Sequence, residues 1–107
     1  MIYWIYLLGA IVFEVLGTLA LKYSAVNESP LASWLTFIFY MICFTLLWYA
    51  IKKIDISIAY AVWAGVGTAL ITIVGAYIFN EQLTLLKLFF VGLIIVGVVG
   101  LKYVGEH

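Results

Sequence analysis

The stretch Tyr3–Leu21, YWIYLLGAIVFEVLGTLAL, decides the fold class of this chain. It is apolar around the whole circumference of a helix, and it is close to the roughly 20 residues that a helix needs to cross a bilayer. One charged residue, Glu14, lies deep within it. The stretch therefore predicts a membrane-spanning helix, and it poses the question of what a lone carboxylate does there.

Three more apolar stretches predict three further spans, at Leu31–Ile51, Ser57–Phe79 and Leu85–Val104. Of the 107 residues, 68% are hydrophobic and 9% are charged, whereas a soluble domain carries roughly 25% charged residues. The expected fold class is an all-α membrane protein with four transmembrane helices, forming a single domain over residues 1–107.

Short polar breaks separate the spans, at Lys22–Pro30, Lys52–Ser57 and Asn80–Thr84. Each break ends in a candidate helix N-cap, which is Ser29 for the second helix, Asp55 or Ser57 for the third, and Thr84 for the fourth. Because the breaks are short, we expect consecutive helices to be antiparallel neighbours. Four short spans enclose little space, so a transporter of this size needs to oligomerise.

Glu14 is the strongest candidate for a functional residue. At 1.5 Å per residue it lies roughly 12–16 Å from either end of its span, too far for its short side chain to reach water. A carboxylate at this depth is costly, and it normally faces a cavity or a partner and marks an ion or proton path. The alternative is a protonated structural carboxyl that is hydrogen-bonded between helices.

Small residues share a helical face with Glu14, namely Ala10, Gly17 and Thr18. They would leave space beside the carboxylate and line a binding site. Close helix packing explains the same pattern, because small residues bring helices together in membranes. The two interpretations are compatible, and both stay open.

In the third span, Tyr60, Trp63 and Gly67 fall on one face. A Tyr and a Trp one turn apart form a plausible aromatic wall for a cation. Interfacial anchoring of Tyr60 and close packing at Gly67 are the alternatives. In the fourth span, a sector of glycines indicates a packing face within or between subunits, at Gly92, Gly97 and Gly100.

The chain has no nucleophile–base pair, no metal-binding cluster and no phosphate-binding loop. We therefore expect neither an enzyme nor a metal site, and no partnership with nucleic acid.

Glu14 in the motif FEVLGT and the motif AYAVWAGVG in span three together resemble the small multidrug resistance family, and the resemblance runs from Tyr3 to Lys102. It implies an antiparallel dimer in the inner membrane of a bacterium or archaeon, in which two copies of Glu14 share one site. Protons and aromatic cations would compete for that site, with Tyr60 and Trp63 beside it, and no cofactor beyond the proton gradient is expected.

The resemblance also assigns packing and lining residues. Leu93, Ile94, Gly97 and Val98 match the family pattern G-x-x-L-I-x-x-G-V and imply a dimer contact, but Phe90 stands in place of the first Gly. A family serine in span two is Cys43 here, which implies a place beside the site.

The sequence Leu16-Gly17-Thr18 after the acid favours export of quaternary ammonium and other lipophilic cations over the guanidinium branch. The stretch GTLALKYSAVNES (residues 17–29), with Lys52, Lys53 and Glu81, also resembles one subunit of the paired polyamine exporters. A heterodimer with a homologous chain therefore stays open. A lipid-carrier flippase subunit is a further alternative, against which Glu14 and Trp63 argue.

The lysines predict how the chain inserts, since positive charge in short loops sets the orientation of membrane proteins. The chain's five cationic side chains are all Lys. Three lie on the side that both termini share, at Lys52, Lys53 and Lys102, and two lie on the other, at Lys22 and Lys87. Because this bias is almost nil, we expect insertion in both orientations, which would allow two copies to pair antiparallel.

Overall fold

The computed structural model describes residues 1–105 and contains four α-helices. They are α1 (Ile2–Asn27), α2 (Pro30–Ala50), α3 (Ile56–Ile78) and α4 (Leu85–Gly105). All four are long and apolar enough to cross a membrane. At 1.5 Å per residue they measure about 31–39 Å, which exceeds the roughly 30 Å of a hydrocarbon core. The predicted four-span fold class is confirmed.

The predicted helix starts agree with the structure, with one qualification. Ser29 accepts a hydrogen bond from the backbone N–H of Ala32 at 3.2 Å, and Thr84 accepts one from the backbone N–H of Lys87 at 3.1 Å. Helix α3 begins directly after Asp55, but that side chain makes no capping bond within residues 1–105. At α3 the predicted position is therefore right, although the capping bond is missing.

The predicted break at Lys22–Pro30 is wrong at its beginning. Helix α1 continues to Asn27, and only two residues join it to α2. The stretch from Lys22 to Asn27 is polar but contains no Gly or Pro, so nothing in it stops a helix. The next residue, Glu28, ends the helix because its backbone is left-handed, with φ of 50°. Polarity marked the end of the apolar run, whereas the helix itself extends nearly two turns further.

The four helices form a slab. Helix α1 packs against α2 and α3, and α3 packs against α4. The Cα extents are 47 × 34 × 17 Å, and the radius of gyration is 14.9 Å, compared with about 13 Å for a compact chain of this length. Because packed helix axes lie about 8–10 Å apart and Cα atoms lie about 2.3 Å from each axis, the slab is about two helices thick. It cannot surround a substrate on its own.

The apolar core of the slab lies at one end of the helices. We call it the apolar cluster, and it consists of Leu7, Ile11, Ala50, Ile54, Ile58 and Ala59. These residues come from the first half of α1, the end of α2 with the turn that follows it, and the start of α3. Beyond Gly17, α1 buries no residue. The bundle is therefore tightly packed at the end with the N-terminus and the α2–α3 turn. It is looser towards the other end, where the buried residues of the described chain are Ala32, Thr36 and Gly75.

Helix α4 lies at the margin of the slab and buries no residue in the described chain. A Cβ added at Gly65 of α3 would lie 2.5 Å from Cγ2 of Val98 and 3.3 Å from Cγ2 of Ile94. Two of the four residues assigned to dimer packing therefore pack against α3 of their own chain. The other two, Leu93 and Gly97, are exposed.

Three of the four glycines of α4 face open space. A Cβ added at Gly92, Gly97 or Gly100 would meet no described atom within 4 Å, whereas one added at Gly105 would meet the side chain of Ile58. The packing sector expected on this helix is thus unused within the described part of one chain. Its use between subunits stays a prediction.

Candidate functional site

Glu14 of α1 faces a gap in α3 that Gly67 creates. The side chain is partly buried, and a Cβ added at Gly67 would lie 2.6 Å from its Oε2. That separation is far below ordinary van der Waals contact, so the carboxylate occupies space that only glycine leaves free. The structure thus brings together two residues that the sequence placed on separate spans.

The carboxylate is poorly hydrogen-bonded. Oε1 accepts a long bond of 3.5 Å from the hydroxyl of Thr18, which lies on the same helix. Oε2 is buried and has no hydrogen-bond partner among residues 1–105. A structural carboxyl held between helices would be bonded to a second helix, and this one is not. A buried polar atom left without a partner is costly, so the arrangement favours a group that takes up a proton or a cation.

Tyr40 of α2 extends this arrangement to a second helix. Its hydroxyl is 2.8 Å from that of Thr18. When Thr18 donates to Glu14 its single proton is used, so Tyr40 must be the donor to Thr18. A Cβ added at Gly17 would lie 2.6 Å from Cδ1 of the Tyr40 ring. Gly17 therefore admits the ring, and Thr18 connects its hydroxyl to the carboxylate.

Aromatic rings continue from Tyr40 towards α3, and we call them the aromatic series. The centroids are 6.5 Å apart for Tyr40 and Phe44, 6.0 Å for Phe44 and Trp63, and 5.6 Å for Trp63 and Tyr60. Trp63 Nε1 is buried without a hydrogen-bond partner in the described chain, whereas Tyr60 is 61% exposed. A ring face attracts a cation that lies within about 6 Å of its centroid, so neighbouring rings of this kind offer a surface for a flat cation.

Ala10 and Cys43 are both fully buried. Ala10 lies one turn before Glu14 and serves helix packing rather than an open wall. Cys43 lies on α2 directly before Phe44 of the aromatic series. Of the lining residues expected from the sequence, Gly17, Thr18 and Gly67 border the space around Glu14 and Tyr40 directly. Ala10 and Cys43 are packed within the bundle instead.

An open groove of about 580 Å³ runs along α2 next to the aromatic series. It is lined by Phe37, Tyr40, Met41, Phe44, Thr45 and Trp48. Its volume is in the range of small-molecule sites, and its lining is mostly apolar. Because it is open on one side, it forms one wall of a site rather than a closed pocket.

Tyr40 and Phe44 were not identified from the sequence. The aromatic residues singled out there were Tyr60 and Trp63 of span three. Tyr40 lies near the middle of α2, far from either interface, and Phe44 follows it one turn later on the same face. A hydroxyl-bearing ring at mid-membrane was the available signal, because such a hydroxyl needs a partner.

Comparison with known proteins agrees with the resemblance noted above. Residues 2–94 match the family described as Small Multidrug Resistance protein. A Bacillus subtilis (strain 168) protein described as the uncharacterized membrane protein YvaE is 43% identical over 104 residues, which cover 97% of this chain and 87% of that protein. The similarity includes all of α1 to α3, which hold the site around Glu14.

Proposed function

The chain belongs to the small multidrug resistance family, and from that premise we propose that it is a proton-coupled antiporter that exports lipophilic and aromatic cations. Quaternary ammonium compounds represent the substrate class. The observation that carries the proposal is the Glu14 carboxylate, which is buried opposite Gly67 with one oxygen unpartnered and an aromatic series beside it.

The coupling follows from mutual exclusion at one carboxylate. Glu14 holds either a proton or a cation, because each neutralises the same charge and occupies the same space. If the site opens to one side of the membrane at a time, protons that enter displace cations that leave. The proton gradient then drives export, and no cofactor or metal takes part.

The substrate class follows from the walls of the site. A guanidinium ion or a hydrated ammonium would lose most of its hydration against the rings of Tyr40, Phe44 and Trp63 and would regain hydrogen bonds only at the Glu14 carboxylate. A lipophilic cation loses little on entry and gains both apolar contact and cation–π attraction. The groove along α2 supports the same class, because its lining is mostly apolar.

We propose that the working unit is an antiparallel homodimer in the plasma or inner membrane. A slab 17 Å thick leaves the groove along α2 open, and a second copy would supply the opposite wall and a second Glu14. Leu93 and Gly97 are exposed on α4 and would contribute to the contact between copies.

The decisive experiment replaces Glu14 by Gln, which keeps the shape of the side chain but cannot exchange a proton. We expect Glu14→Gln to abolish proton-driven cation uptake into proteoliposomes, while the dimer remains folded. Glu14→Asp, as the matched control, should keep some transport with a shifted pH dependence. Transport against a gradient by Glu14→Gln would refute the proposal.

The dimer is tested by topology. Reporters fused to the C-terminus of the chain expressed alone should be active on both sides of the membrane, because the lysine tally is three against two. Adding two lysines to the α2–α3 turn should drive the C-terminus to the cytoplasmic side. A C-terminus found on one side only, in the unaltered chain, would contradict the homodimer and favour a paired exporter that needs a second, homologous chain.

A further inference from the structure

A charged pair lies at the loosely packed end of the molecule, away from the site around Glu14. Lys22 of α1 and Glu81 of the loop between α3 and α4 are 3.9 Å apart, measured from Nζ to Oε2. Both side chains are 49% exposed. The pair, which we call the outer pair, ties the α3–α4 loop to α1.

Glu81 rests in a gap in α3 like the one that holds Glu14. A Cβ added at Gly75 would lie 2.8 Å from Glu81 Oε1, just as one at Gly67 would lie 2.6 Å from Glu14 Oε2. Helix α3 therefore seats two carboxylates on two glycines. Gly75 is buried, so Glu81 is held against the helix rather than extended freely into water.

A cavity of about 140 Å³ lies between the outer pair and the Glu14 site. Its walls include Thr18 and Lys22 on α1, Ile71 on α3, and Phe79 and Glu81 in the loop that follows α3. It has room for several waters. Because Thr18 both lines the cavity and donates a hydrogen bond to Glu14, the cavity adjoins the site. Lys22 lies about 12 Å from Glu14 along the helix axis.

Thr18, Lys22 and Glu81 place polar groups on the wall of this cavity, between the Glu14 site and one end of the helices. At the opposite end a cavity of about 260 Å³ also follows the α1–α3 contact, but its lining carries no charged side chain: it consists of Trp4, Leu7, Leu8, Ile11, Val62 and Val66. Among residues 1–105, the cavity with charged side chains along the α1–α3 contact therefore lies at the end that holds Lys22 and Glu81. In an antiparallel dimer, the two copies would carry their outer pairs on opposite sides of the membrane.

We propose that Lys22 and Glu81 are positioning residues that control access to Glu14 from their side of the membrane. With the pair formed, the loop covers the cavity and Glu14 is shut off from that side. With the pair apart, water enters the cavity and a proton can reach Glu14. This proposal rests on the proposed antiport function. A half-exposed ion pair is weak, which suits a contact that must open and close in every cycle.

The test measures proton leak and cation binding separately, using the full chain in proteoliposomes. We expect Glu81→Gln and Lys22→Met each to raise the substrate-free proton leak about two- to fivefold, the shift that the loss of an exposed ion pair produces in a two-state equilibrium. Affinity for tetraphenylphosphonium, as the probe cation, should stay within about twofold of the unaltered chain, because neither residue touches the aromatic series.

Three further variants make the result specific. The reversed pair, Lys22→Glu with Glu81→Lys, should bring the leak back towards its original value. Lys87→Met is the matched control, because Lys87 lies at the same end but donates to the backbone carbonyl of Gln82 at 2.7 Å, and we expect its leak to be unchanged. Gly75→Ala should raise the leak as Glu81→Gln does, because the added methyl displaces the carboxylate.

The outcomes separate this proposal from the proposed function. An unchanged leak in Glu81→Gln and Gly75→Ala would overturn the outer pair as a control of access, while loss of transport in Glu14→Gln would still support antiport. Failure of the reversed pair to restore the leak would also overturn it. The double variant Glu14→Gln with Glu81→Gln should not leak, and a leak that persists there would mean that its route does not pass Glu14.

Discussion

The two halves of α1, on either side of Glu14, are built differently. Before Glu14, Leu7 and Ile11 are buried in the apolar cluster with residues from α2 and α3. After Gly17, no residue of the helix is buried, and its contacts to other elements include the hydroxyl bond of Thr18 and the ion pair of Lys22. Glu14 therefore lies at the junction of a packed half and a loose half.

The difference indicates which end of the molecule can move. Close-packed side chains have few alternative arrangements, so the packed half holds the angles between α1, α2 and α3. A single hydrogen bond contributes about 0.5–1.5 kcal/mol and an exposed ion pair about 0–1 kcal/mol. The loose half can therefore rearrange at little cost. Such a movement changes the surroundings of the Glu14 carboxylate at the junction, while the core stays in place.

If function depends on the junction, then filling the gap at the junction should have the largest effect. Gly67→Ala places a methyl group 2.6 Å from Oε2 of Glu14, which forces the carboxylate to shift, so we expect transport to be lost and cation binding to fall by at least about tenfold. The helix itself should not suffer, because Ala is a better helix former than Gly. Transport assays and calorimetric titration check both statements.

The matched control is Gly100→Ala, which adds the same methyl group on α4 where no described atom lies within 4 Å. Gly100→Ala should transport as well as the unaltered chain, in contrast to Gly67→Ala. An equal loss of transport in both variants would show that added bulk in any helix is harmful. It would contradict a special role for the gap at Gly67.

The packed half is tested by truncating its core. Leu7 is 1% exposed, whereas its neighbour Leu8 is 58% exposed. We expect Leu7→Ala to lower the unfolding free energy by no more than the roughly 2–5 kcal/mol that is typical of buried truncations in water. The loss is no larger because lipid is itself apolar and removes much of the free energy of transfer from water. Leu8→Ala should cost far less. Unfolding in mixed detergent measures both, and equal costs would contradict the placement of Leu7 in a buried core.

The smallest effect is expected at Trp63, which belongs to the aromatic series and also contacts the apolar cluster. It packs against the apolar cluster and stands next to Phe44 in the aromatic series. Trp63→Ala should weaken binding of flat cations by about 0.5–2 kcal/mol from lost cation–π attraction, with some further loss of apolar contact. Calorimetry is the suitable measurement, because it does not depend on tryptophan fluorescence.

Tyr60→Phe serves as the mild comparison, since it removes only a hydroxyl from the exposed end of the series. Trp34→Ala removes an equally large ring that is 68% exposed at the start of α2, and it should leave cation affinity unchanged. If Trp63→Ala binds cations as well as Trp34→Ala does, Trp63 belongs to the packing of the core and not to the binding surface.

The local features of this fold were predictable from the sequence. Apolar length and composition determine how many helices cross the membrane, and Ser29 and Thr84 determine where two of them begin, because both depend only on nearby residues. The exceptional position of Glu14 was equally visible, since a charge inside an apolar run stands out in any arrangement of the helices. The end of α1 was missed because polarity ends a span, whereas only a break in the backbone pattern ends a helix.

The pairing of faces was decided by the tertiary structure alone. Nothing in the order of residues says that Gly67 lies opposite Glu14, that Tyr40 reaches Thr18, or that Glu81 rests on Gly75. Each depends on how the helices rotate and cross, which packing along the whole length of a helix decides. Ile94 and Val98 show the same point, because a packing motif predicts that helices will approach but not which helix approaches. The sequence determined the pieces of the site, and the packing of α1 against its neighbours determined which of them meet.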